Sequence, residues 1–125
     1  MGTIAYLCSS ESWGGLEMNQ LRNASWMKAR GHQVCIICRK KTPIEQAAIT
    51  EGIKILNINK HRKYYDFSAG KKLAKLLEEQ NMTHLITRDT RDISLSVIAK
   101  RKCKRKIHLS YFMEMQLGVT KKGML

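Results

Sequence analysis

The chain has 125 residues, 43% of them apolar, which is enough for one domain with a real core and argues against wholesale disorder. Its 23 lysines and arginines face only 10 acidic residues, and the formal charge of +13 attracts polyanions: nucleic acid, anionic lipid headgroups or phosphorylated ligands. No apolar run approaches the roughly 20 residues of a membrane span. Met1-Gly2-Thr3-Ile4-Ala5-Tyr6 lacks the basic region and long apolar stretch of a signal peptide, so a cytoplasmic protein is expected.

Thr3 to Cys8 is a short apolar run ending at Ser9-Ser10, which predicts a buried strand. Trp13-Gly14-Gly15 reads as a loop. Leu16 to Arg30 contains no breaker and predicts a helix, with Met18, Leu21, Ala24 and Met27 as a broad apolar arc and Gly31 as its stop. Gln33 to Cys38 predicts a second strand. A short helix from Ile44 to Glu51 follows Pro43 and closes at Gly52, and Lys54 to Ile58 reads as a third strand. Phe67 to Gln80 carries Ala69, Leu73, Leu76 and Leu77 at helical spacing, with Lys71, Lys72, Lys75, Glu78 and Glu79 turned outward. A strand is expected over Thr83 to Thr87, then a helix capped by Asp89 with Leu95, Ile98 and Ala99 on one face, then a fifth strand from Ile107 to Phe112. Strands alternating with helices imply right-handed βαβ units and a parallel sheet covered on both faces. The fold predicted is a Rossmann-like three-layer α/β domain with about five strands in the order 3-2-1-4-5.

The four cysteines, Cys8, Cys35, Cys38 and Cys103, are too few and scattered for a disulfide framework. Cys35 and Cys38 have the spacing of a redox or zinc motif. They lie in a strand, however, where residues three apart point to opposite faces, so buried free thiols are expected. No second Cys/His pair completes a zinc site, and no metal is expected. Basic residues cluster at Arg39-Lys40-Lys41, at Lys60 to Lys63 and from Lys100 to Lys106, interrupted in the last run only by Cys103. These clusters read either as solvated surface with favourable charge at a helix C-terminus, or as a working anion surface.

In an open parallel sheet, ligands bind beyond the carboxyl ends of the strands, where the strand order reverses. Here that point lies between strands one and four. The loop after Cys8 supplies Ser9 to Gly15, and the loop after Thr87 supplies Arg88, Asp89, Thr90 and Arg91. Gly14 and Gly15 precede a helix, where bare backbone can approach a phosphate or sugar; a tight strand-to-helix turn is the alternative need for them. Glu17 suits sugar hydroxyls or simply the first helical turn. Asp92 falls three residues after Asp89, as in a capping box, or lines the same site.

Ile4-Ala5-Tyr6-Leu7, Trp13-Gly14-Gly15-Leu16-Glu17 and Gly31-His32-Gln33-Val34 together resemble the opening of the family 4 retaining glycosyltransferases. Met115-Gln116-Leu117-Gly118 with Lys121-Lys122 is similar to a segment found in bacterial members that build envelope polysaccharides. The resemblance implies the GT-B architecture of two Rossmann-like domains facing across a cleft, with residues 1–125 as the N-terminal, acceptor-side domain. It implies that Gly14 and Gly15 approach the donor diphosphate, that Gln116 belongs to the acceptor side, and that the C-terminal domain binding the nucleotide-diphosphate sugar is absent from this chain. The chain alone is then expected to be inactive. Many relatives place a histidine near the end of strand five; Glu114 takes that place here and is the candidate catalytic group. His32 and His108 are poorly positioned to replace it.

Two function classes follow. The first is half of an enzyme moving a sugar from a nucleotide-diphosphate donor to a glycan or lipid-linked acceptor. Its basic surface would lie against an anionic membrane on the inner face, and the exposed cleft face would offer a route to dimers. The second is a free-standing basic α/β module for nucleic acid or another polyanion. That class lacks support from any helix-turn-helix, stacking aromatic pair or RNA-binding motif, so nucleic acid is not the expected partner.

Overall fold

Every residue after the first in β1 (Thr3–Cys8) is buried, which is what a strand covered on both faces requires. The computed structural model describes residues 3–62, 64–104 and 106–111. The other elements are α1 (Gly15–Ala29), β2 (Gln33–Arg39), α2 (Pro43–Thr50), β3 (Lys54–Ile58), α3 (Phe67–Glu79), β4 (His84–Thr87), α4 (Ile93–Lys102) and β5 (His108–Tyr111). A single 3-10 turn over Thr90–Asp92 leads into α4. The strands form one parallel sheet in the order β3-β2-β1-β4-β5, as the alternating pattern predicted.

Alternation along the strands divides the core in two. Ala5, Leu7, Cys35, Ile37 and Leu85 pack on one face with Leu73 and Leu77 of α3 and Leu95 and Ala99 of α4. Ile4, Tyr6, Cys8, Val34, Ile36 and Cys38 pack on the other with Ala24 of α1 and Ile44 and Ala48 of α2. Each fully buried leucine or isoleucine contributes about 1.5–3 kcal/mol relative to exposure. Cys35 and Cys38 lie on opposite faces, and burial pushes both thiols up to about 12, so they are inert core residues as the spacing argument required.

Gly31, at φ 98°, terminates α1 in the left-handed conformation expected of a helix stop. Where α3 crosses α4, a Cβ on Gly70 would fall 2.3 Å from Cγ2 of Ile98, so the two helices approach more closely than any side chain there permits. The expected inward arc of α1 is only partly right. Ala24 is buried and Leu21 and Met27 are half-buried, but Met18 is 42% exposed. Glu17 and Gln20 take the buried positions instead, because both make hydrogen bonds that draw them inward. Among the described residues, no helix is long and apolar enough to cross a membrane.

Candidate functional site at the carboxyl ends of the strands

β1 and β4 pair in parallel with Leu7 opposite Thr87, so the loops that follow them diverge from one end of the sheet to opposite faces. This is the switch point at which such sheets hold ligands. Its centre is polar and buried. Asp92 is fully buried, and its carboxylate gathers three donors from two other loops. Ser9 N–H donates to Oδ2 at 3.0 Å, the Ser9 hydroxyl donates to Oδ1, and His61 Nε2 meets Oδ1 at 2.7 Å. The other ring nitrogen of His61 lies 2.6 Å from the Arg62 carbonyl, which can only accept. With Asp92 as a carboxylate, both ring nitrogens donate, an arrangement that favours the protonated ring. The Asp92 hydrogen bond, against the opposing effect of burial, holds the His61 pKa above the ordinary histidine range.

A hydroxyl chain continues the network. Ser96 Oγ donates to the Asp92 carbonyl at 2.9 Å, so its contact of 2.6 Å with Thr87 Oγ1 must have Thr87 as donor. The ends of β1 and β4, the start of α4 and the loop after β3 are thus fastened together. The arrangement is not a nucleophile-activating triad: Ser9 donates to the aspartate and not to the histidine, and all three side chains are buried.

The sequence-derived site residues fall into distinct places. Gly14 caps α1 with extended backbone and Gly15 opens the helix. Neither requires glycine for its own backbone: positive φ among the described glycines occurs only at Gly31 and Gly52. Nor does packing require it, since a Cβ on Gly15 would meet nothing within 4 Å and one on Gly14 only ordinary contact with Glu17. Glu17 is buried and its Oε1 accepts from Gly14 N–H at 2.8 Å, holding the loop against the helix. Asp89 caps the 3-10 turn through Arg91 N–H at 2.9 Å, not α4 itself as expected. Asp92 is not the second half of a capping box with it; its side chain turns inward to Ser9 and His61. Arg88 borders a groove of about 430 Å³ with Asn19, Arg22, Asn23 and Trp26 of α1. Glu114 and Gln116 lie outside the described residues.

His61 had no individual signal in the sequence, because it sits inside the basic run Lys60 to Lys63 and reads as solvated surface. The strand order contains the clue. Between β3 at the sheet edge and β4, the chain must pass β2 and β1, so the loop after β3 has to travel over the carboxyl ends toward the switch point. Among the described residues, no three metal-ligating side chains converge.

No protein-family model matches the chain, and no curated protein matches it in sequence. Among solved structures it is similar to a glycosyltransferase from Rickettsia africae ESF-5, with a TM-score of 0.73 at 20% identity. The match covers 88% of this chain and 29% of that one, so the chain spans less than a third of the protein it resembles. At that identity the likeness is one of fold.

Proposed function

We propose that these residues form the acceptor-side half of a glycosyltransferase of the two-domain GT-B type, family 4, acting in envelope-polysaccharide assembly. The complete protein moves a sugar from a nucleotide-diphosphate donor to a glycan or lipid-linked acceptor, and a second α/β domain binds the donor. The observation that carries this reading is the Gly14-Gly15 opening of α1 at the carboxyl end of β1. The protein's own backbone and packing would accept a side chain at Gly15, which supports a glycine kept there for close approach by a ligand. The first-turn amides of a helix have no intrahelical partner and favour negative charge, which suits the donor diphosphate when the cleft closes. The fold likeness to a glycosyltransferase supports the same reading.

In this account the groove beside Arg88, with its amides, guanidinium groups and indole, receives the acceptor. Asp89 and Gln116 are the further candidates for binding substrate, and Glu114 is the candidate catalytic group. Asp92 and Glu17 position the loops without touching substrate. Alone, the 125-residue chain is inactive.

The test has two parts. Coding sequence downstream of Leu125 should specify a second α/β domain, and the complete polypeptide should transfer sugar from a nucleotide-diphosphate donor. In that polypeptide, Gly15→Leu should keep the fold by circular dichroism and lower kcat/KM for the donor about 10²-fold, the order expected when a reacting group is displaced by about 1 Å. A native stop codon after Leu125 together with transfer by the short chain, or unimpaired transfer by Gly15→Leu, would refute this reading.

A further inference from the structure

Three large aromatic rings stand on the surface within four residues: Tyr64 at 59% exposure, Tyr65 at 70% and Phe67 at 55%. Single exposed apolar side chains need no explanation, but a contiguous aromatic patch marks an interaction surface. The rings form one cluster, with centroids 6.3 Å apart for Tyr64 and Tyr65 and 6.4 Å for Tyr65 and Phe67. Their loop is held in shape. Asp66 accepts from Arg62 N–H at 2.9 Å and from Ala69 N–H at 3.1 Å, Arg62 donates to the Tyr65 carbonyl at 3.1 Å, and Tyr65 N–H donates to Ser94 Oγ at 3.3 Å. Tyr65 itself adopts φ 54°, a left-handed conformation uncommon for a bulky side chain.

Behind Tyr65 and Phe67 runs a groove of about 570 Å³ along α4, floored by Val97 and Ile98 and edged by Ser94, Arg101 and Lys102. Arg62 stands exposed in the aromatic loop with its Nε 4.0 Å from Asp66 Oδ2, and Lys100 adds a further cation in the last turn of α4. The carboxylate of this loop, Asp66, is turned into the loop's own amides. Aromatic rings and an apolar groove rimmed by cations match the boundary of an anionic bilayer, where rings sit at headgroup level and basic side chains meet phosphate.

We infer that the Tyr64-Tyr65-Phe67 cluster and the basic face of α4 form a docking surface for an anionic phospholipid membrane. The rings form one cluster, two of them (Tyr65 and Phe67) bordering an apolar groove, and are not spread as separate platforms for successive bases, which favours lipid over single-stranded nucleic acid. The surface does not depend on the sugar-transfer reading, and its test needs no donor or acceptor.

The experiment is flotation of the 125-residue chain with phosphatidylcholine vesicles, with and without phosphatidylglycerol. The chain should float only with the anionic vesicles. Replacing Tyr64→Ser, Tyr65→Asn and Phe67→Ser together should weaken binding at least about tenfold, because the rings supply the apolar insertion; asparagine tolerates the left-handed backbone at 65. Arg101→Gln and Lys102→Gln, which disturb no core contact, should each weaken it about fivefold and reduce its dependence on salt. Indifference of binding to the aromatic replacements, with the fold intact by circular dichroism, overturns the inference. So does failure to float with anionic vesicles, or ring-dependent capture of a single-stranded oligonucleotide in their place.

Discussion

Helices α1 and α3 have similar lengths, 15 and 13 residues, and cover opposite faces of one sheet, yet they follow opposite rules. α3 hides Gly70, Leu73, Ala74 and Leu77 and turns its lysines to solvent, as an amphipathic helix packed on a core should. α1 buries Glu17 and Gln20 and exposes Met18 and Trp26. The buried polar groups of α1 serve the loop at the end of β1: Glu17 holds Gly14, and the Gln20 amide donates to the Leu7 carbonyl at 2.9 Å. A helix whose first turn is tied to the preceding loop spends part of its inner face on that loop. Its outer apolar residues then have no core role. Trp26 instead lies 4.2 Å below the Arg30 guanidinium and borders the groove beside Arg88.

The sharpest way to break this contrast is at the polar centre that the α1 side shares with the rim. Asp92→Ala leaves the His61 ring and the Ser9 donors without their acceptor and should cost about 3–5 kcal/mol, read as the shift in urea unfolding. On the apolar side, Leu77→Ala should cost about 2–5 kcal/mol by the same measurement, set by how far α3 can settle into the cavity.

A smaller effect separates the two regions by pH. Because the His61 pKa is raised in the folded state, protonation of His61 favours folding. That contribution is complete below the ordinary imidazole value of about 6.5 and is lost as pH rises through the raised value. Unfolding midpoints of the native chain should therefore fall as pH rises above about 6.5, and His61→Gln should flatten that part of the slope while Leu77→Ala leaves it unchanged. The smallest effect sharpens the comparison from outside. Met18→Ser and Trp26→Ser should change stability by no more than about 0.5 kcal/mol each, whereas burial of Met18 in the predicted arc would have made its loss several-fold larger.

The layers of the molecule were legible because apolar runs, glycine stops and a lone proline mark each element's limits. The run from Thr3 to Cys8 and the spacing of Leu73 and Leu77 each admit one arrangement, and the order of strands follows from their number and alternation. α1 was misread because hydropathy ranks Met18 above Gln20, and hydrogen bonds to backbone reverse that ranking. Asp92 could be assigned to the switch-point loop but not to its partners, since Ser9 and His61 lie 83 and 31 residues away. The aromatic loop was equally hidden. A basic run beside two tyrosines says nothing of exposure until Asp66 and Ser94 fix which way the backbone turns.

The Asp92 knot also bears on time as well as on strength. The Ser9 amide belongs to a surface-bound loop, but its hydrogen is given to a carboxylate sealed in the protein. Such a proton leaves only when the knot opens, so Ser9 should exchange with deuterium about as slowly as the strand interior, a protection loops seldom share. Three loops fastened to one carboxylate have no separate motions to lose. At Ser9, His61 and Asp92 this end of the sheet is held before any ligand arrives.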